Sequence, residues 1–172
     1  MSLERLWAAW RSGYVSSVSE GSDSYESSDP ATCVFCRLLE KGAEGADEFV
    51  VHRAELAAAV LNAYPYTSGH LLVMPIRHLR DLDELSDEEQ VALWGMTRDA
   101  VTAIRRAYVP EGLNIGANFG RPAGAGIPDH LHLHALPRWV GDTSFMTSVA
   151  ETRVLPEALS DSAKRLRAAW PQ

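Results

Sequence analysis

Three histidines, His130, His132 and His134, take every second position in the stretch DHLHLHALPRW, with Leu131, Leu133 and Ala135 after each. On a strand, side chains two apart share a face at a spacing of about 6.6 Å, so the imidazoles line one surface while the apolar residues face the core. Such a row has three uses. Imidazole ligates transition metals, it attacks electrophiles because its ordinary pKa of about 6.5 leaves the neutral form available, and it also makes a merely polar strand face. A mononuclear hydrolytic metal site would want a carboxylate or another neutral ligand around an open position. Asp129 falls on the opposite face if the strand already runs there, which weakens that use. The two cysteines of the chain, Cys33 and Cys36, form a second reactive group. Their close spacing in a chain without secretory features suits a metal half-site or a redox pair better than a structural disulfide.

The elements that must position these residues follow from the apolar pattern. DEFVVHR, LAAAVLN and HLLVMPI are short apolar or β-branched runs separated by turn formers, notably AYPYTSG, and read as antiparallel strands. The clearest helix signal is LSDEEQ: Ser86 is a good N-cap, Glu89 stands three residues on, and acidic residues fill the first turn. Val91, Trp94, Val101, Ile104 and Tyr108 then suggest one apolar stripe on a helix of about six turns that Pro110 ends. GLNIGAN reads as a fourth strand, the glycine-rich FGRPAGAGIPD as a loop, the histidine stretch as a fifth strand, and LPEALSDSAKRLRAAW as a short amphipathic helix. Strands, helix, strands and helix in that order predict an α+β domain with a helix laid on an antiparallel sheet.

At 172 residues the chain suits one domain. Residues 1–15 carry Leu3, Leu6, Trp7 and Trp10 at helical spacing and are expected to pack on that domain. Residues 16–32, rich in Ser, Asp and Glu, read as a flexible linker, and the folded domain as 33–172. A net charge of −7 excludes a general nucleic-acid footprint, so any phosphate recognition must be local. The N-terminus lacks the pattern of a signal peptide and no run reaches membrane-spanning length, which makes the cytoplasm the expected location.

His130-Leu-His132-Leu-His134 followed by ALPRW resembles the signature of the histidine triad superfamily of nucleotide hydrolases and transferases. The resemblance extends through LNAYPYTSGHLLVMPIRH, GLNIGANFGRPAGAGIPDH and PRWVGDTSFM, from Cys33 to about Pro156, and LWAAWRSGYV is similar to the family's N-terminal segment. The chain looks most like the bacterial branch near the fragile histidine triad proteins, which includes actinobacterial diadenosine tetraphosphate phosphorylases. The resemblance implies a histidine triad fold, a homodimer built on the long helix and the strand after it, and a nucleotide substrate.

It also implies roles for single residues. His132 is the nucleophile, attacking the α-phosphorus of a nucleotide, with its tautomer fixed by the carbonyl of His130. His134 donates to the phosphate, and the backbone of Gly124, Ala125 and Gly126 approaches the same oxygens. Asn62 holds the ribose, Asn118 contacts phosphate or ribose, and Trp139 or Phe145 lines the path of the second nucleotide. As bare residues, Asn62 suits a turn and Trp139 suits packing. Zinc-binding members pair the two cysteines with two histidines, here Cys33, Cys36, His78 and His130, in a structural zinc site. Where many members carry Gln followed by Ser or Thr, this chain has Gly126 and Ile127, leaving room beside His134 for inorganic phosphate as acceptor. Arg121 or Arg138 would then supply positive charge. Implied activities are phosphorolysis of diadenosine tetraphosphate, hydrolysis of a dinucleoside polyphosphate or nucleoside phosphoramidate, or nucleotide sensing with little turnover.

Overall fold

The computed structural model describes residues 29–40, 46–142 and 156–172. Segment 1–15 and most of the expected linker lie outside them, as does Phe145. The linker's last residues, however, form a 3-10 turn, Pro30–Thr32, whose first free N–H is capped by the Asp29 carboxylate. The chain continues through α1 (Val34–Leu39), the single turn α2 (Ala46–Phe49), β1 (Val50–Arg53), β2 (Ala57–Leu61) and β3 (Leu71–Pro75). Then come α3 (Asp87–Tyr108), β4 (Gly112–Gly116), β5 (Leu133–Arg138) and α4 (Leu159–Ala169). The predicted run DEFVVHR therefore divides into a helical turn and a strand, and α1 occupies a stretch where no helix was expected.

The five strands form one antiparallel sheet in the order β1-β2-β3-β5-β4. Alternation assigns each residue of the interior strands β2 and β3 to one face. Ala57, Ala59, Leu61, Leu71 and Val73 join Leu131, Leu133 and Ala135 under α3 and α4 in the main core. Ala58, Val60, Leu72 and Met74 point the other way and are covered by Phe35 and Leu39 of α1. Both faces of β2 and β3 are thus buried, which explains why these strands read as continuous apolar runs.

Helix α3 begins as its sequence predicts. Ser86 Oγ accepts from the Glu89 N–H, and the Glu89 carboxylate accepts from the Ser86 N–H, completing a reciprocal cap. Its buried face differs from the expected stripe. Leu93, Met96, Thr97, Ala100, Ala103 and Ile104 face the sheet, whereas Val91 is 75% and Trp94 57% exposed. The reason is size: apolar residues occur on two sides of this helix, and the side with Ala100 and Ala103 lets its backbone approach the sheet closely. At the far end Val109 takes a left-handed conformation, φ 45°, ahead of Pro110, which disfavours a right-handed helical residue before it.

Candidate active site and metal centre

The histidine row straddles a boundary. Only His134 lies within β5, paired with Leu72 on one side and Gly116 on the other; His130 and His132 precede the strand's first residue, Leu133. The strand is shorter than expected because the His130 side chain and the Leu131 N–H are engaged elsewhere, the latter with the carbonyl of Leu79 at 2.7 Å. The alternation nevertheless holds, with the leucines in the main core and the imidazoles on the face that α1 covers.

Each imidazole is oriented by a different acceptor or donor. His132 Nδ1 lies 2.8 Å from the carbonyl oxygen of His130, so Nδ1–H donates and Nε2 keeps its lone pair. His130 donates from Nε2 to the Pro75 carbonyl at 3.0 Å, which turns its Nδ1 lone pair towards Cys33 and Cys36. His134 receives its orientation from a residue that the sequence reading missed. His70, fully buried immediately before β3, accepts the Tyr66 N–H on Nδ1 at 3.1 Å. Its Nε2–H then faces His134 Nδ1 at 2.9 Å, leaving the His134 Nε2–H as a donor. The Tyr66 ring stacks on His134, 14° from parallel.

Burial shapes the electrostatics. Removal from water disfavours the imidazolium form, lowering His132 below the ordinary histidine range against the opposing hydrogen bond to His130. The same burial, reinforced by His132, brings His134 down to about 4. Neutral imidazoles at neutral pH suit nucleophilic attack from one ring nitrogen and hydrogen-bond donation from the next.

A cleft of about 770 Å³ opens over these residues, lined by His132, His134, Asn62, Gly124 and Gly126, with apolar walls from Val34, Leu38, Leu61 and Ile127. The structure thus brings five of the expected residues into one space. Asn62 does double duty: it lines the cleft, and its Oδ1 accepts the Tyr64 N–H at 2.9 Å in a turn while Nδ2 meets His70 Nδ1 at 3.3 Å. Ala125 is buried beneath the loop rather than on its surface. Its N–H and that of Gly124 bond to the carbonyls of Gly120 and Arg121, so these two are turned away from a phosphate. Gly124 has φ +94°, a conformation that favours glycine, and a Cβ there would stand 3.7 Å from Asn118 Nδ2, which belongs to a residue outside the lining of this cleft. Trp139 lines a second cleft, with Tyr108 and Arg165, that shares Tyr66 with the first. Arg138 is held by both carboxylate oxygens of Asp142, at 2.6 and 2.7 Å, and by Asn114, so it is not a spare cation. Arg121 is exposed on the glycine-rich turn.

The missed features were hidden for separable reasons. His70 acts through a partner 64 residues away, and its only local sign is Gly69. That glycine has φ +79°, and a Cβ there would collide with the Tyr108 ring. The α1 wall could have been read from Val34 and Leu38, four apart beside the cysteines.

On the opposite side of α1, the ligand atoms of Cys33, Cys36, His78 and His130 all lie within 4.8 Å of one another. Both thiols are free. Tetrahedral zinc with bonds of about 2.0–2.1 Å to nitrogen and 2.3 Å to sulfur requires N···S separations of about 3.5 Å. The His130 Nδ1 to sulfur distances are 3.5 and 3.6 Å, and His78 Nδ1 lies 3.2 Å from Cys36 Sγ. The donor set and spacing fit zinc, and the His130–Pro75 hydrogen bond is the outer support that a ligating imidazole needs.

A family model described as the HIT domain matches residues 43–140. Over 168 residues the chain is 37% identical to the AP-4-A phosphorylase of Mycobacterium tuberculosis, covering 98% of this chain and 85% of that protein. The chain belongs to the histidine triad family. Among solved structures, a zinc-bound histidine triad family protein from Mycobacterium smegmatis superposes with a TM-score of 0.66 at 31% identity, covering 82% of this chain and 94% of that one. The adenosine 5'-monophosphoramidase of Schizosaccharomyces pombe is 33% identical over 142 residues, 77% of this chain and 99% of that protein.

Proposed function

We propose that this histidine triad protein is a dinucleoside polyphosphate phosphorylase that converts diadenosine tetraphosphate and inorganic phosphate to ADP and ATP. The observation that carries the chemistry is the His132 Nδ1–H bond to the His130 carbonyl, which leaves Nε2 unprotonated and open to the cleft. Nε2 attacks the α-phosphorus at one end of the substrate, forming an N–P bond as the bond to the bridging oxygen breaks, and ATP leaves. The Nε2–H of His134 stabilises charge on the phosphoryl oxygens. Phosphate then attacks the adenylyl-His132 intermediate, releasing ADP and restoring the imidazole. The substrate class rests on the similarity to the M. tuberculosis protein named AP-4-A phosphorylase.

Asn62 and the apolar walls bind the nucleoside, and Gly126 leaves room for the acceptor phosphate. Cys33, Cys36, His78 and His130 hold structural zinc. When bound, the ion supplies a cross-link and fixes His130, whose carbonyl in turn orients the nucleophile. The protein works as a homodimer through β4, an edge strand among the described residues with Ile115 48% exposed, and through the side of α3 that carries the exposed Val91 and Trp94. No helix of the described residues is long and apolar enough to cross a membrane, and we assign the protein to the cytoplasm.

Incubation with diadenosine tetraphosphate tests the reading. ADP and ATP should appear only when phosphate is added, with label from ¹⁸O-phosphate in ADP. AMP and ATP formed equally well without phosphate would make the enzyme a hydrolase. Nucleotide binding with no adduct on His132 and no product would make it a sensor.

A further inference from the structure

One six-residue helix serves two sites. Helix α1 carries Cys33 at its N-cap and Cys36 one turn on, both directed at the metal centre. Val34 and Leu38, four residues apart on another side, form the apolar wall of the nucleotide cleft. Phe35 lies between the two functions, with its ring edge-on to both His130 and His132, at centroid distances of 5.6 and 5.2 Å.

The two bodies that the centre joins are not equally secured. His78 and His130 flank β3 and β5, which are tied into the sheet; His134 pairs with Leu72, and Leu131 donates its N–H to Leu79. Helix α1 is too short to be stable alone, since isolated helices below about 12 residues are marginal. Apart from the thiol contacts at the metal centre itself, it is held by the packing of Phe35, Leu38 and Leu39 on the sheet and, among the described polar contacts, by the Arg53 side chain donating to the Leu39 carbonyl. A metal cross-link from Cys33 and Cys36 to His78 and His130 would therefore restrain the cleft wall more than the strand that bears the nucleophile.

Resting on the nucleotide reading above, we propose that the metal centre sets nucleoside affinity: loading it seats α1, and with it Val34 and Leu38, against the nucleoside. Metal and nucleotide then bind with positive coupling, and by linkage each tightens the other by the same factor.

The test uses full-length protein, AMP and zinc. AMP is titrated calorimetrically into zinc-loaded, chelator-stripped and zinc-reloaded protein, and zinc affinity is measured by competition with a chromogenic chelator with and without saturating AMP. Stripping should weaken AMP binding about tenfold, within the usual range for coupled sites, reloading should restore it, and AMP should tighten zinc by an equal factor. Hydrogen exchange should speed up in residues 33–39 while β3 and β5 stay protected. Leu38→Ala, which leaves the ligands intact, should weaken AMP in loaded protein and shrink the difference made by stripping. Equal AMP affinity with and without zinc overturns the proposal alone, as does loss of protection throughout the sheet, which would make the metal a support of the whole fold. Loaded protein that binds no AMP overturns the nucleotide reading and this inference together.

Discussion

A chain of hydrogen bonds decides which nitrogen does what. The Tyr66 N–H fixes His70, His70 fixes His134, and the His130 carbonyl separately fixes His132, so attacking atom and donor are set by neutral tautomers. His132→Ala should lower turnover by about three orders of magnitude or more, with circular dichroism and melting temperature near those of the parent. Retained activity would remove His132 from its role. His70→Phe keeps a ring but removes the proton offered to His134; kcat should fall about tenfold or more while KM changes less, in steady-state assays. Because burial lowers His132 and brings His134 to about 4, the acid limb of kcat/KM should lie below pH 6.5. The stability contribution has the same sign. The unfolded chain takes up protons first, so stability is lost as pH falls from about 6.5 towards 4, and denaturant melts across that range measure it. Of these residues the triad was legible, since its spacing is local. His70 was not, because Gly69 beside it marks a close approach but does not name the partner 64 residues away.

At the level of elements, the ends of α3 were easier to read than its faces. The Ser86–Glu89 cap is a local pattern, and the structure adds a second task for Glu89. Arg77, the neighbour of the proposed zinc ligand His78, donates from Nε and Nη2 to its two carboxylate oxygens at 2.8 and 2.7 Å. That guanidinium, with the Ser86 N–H, brings Glu89 down to about 2. Glu89→Gln should cost about 1–2 kcal/mol, read as a lower melting temperature, and should remove a loss of stability that the parent shows as pH falls from 4.5 towards 2. Val109 offers the opposite change. A β-branched residue in the left-handed region costs about 1–2 kcal/mol, so Val109→Asn should raise the melting temperature by about 2–4 °C. The buried face of α3 was misread because hydrophobicity alone does not distinguish a large exposed Trp94 from a small buried Ala100.

For the whole molecule, the number and antiparallel sense of the strands were visible as apolar runs, whereas the order β1-β2-β3-β5-β4 depends on pairings between distant segments. The cover on the second face was harder to read, because α1 is under two turns long and its period shows only in the spacings Val34–Leu38 and Phe35–Leu39. If β4 and α3 form the proposed homodimer, sedimentation at micromolar concentration should give twice the mass of 18.9 kDa, and a monomer would count against it. The pairing of His134 with both Leu72 and Gly116 has one more consequence, for insertions and deletions. Removing one residue between His130 and Ala135 would exchange the two faces of the segment, sending imidazoles under α3 and leucines into the cleft. Core and chemistry would fail together. Length variation among descendants of this chain should therefore spare the segment and collect in the glycine-rich turn before it, where an added residue changes the fit of the cleft without reversing the strand.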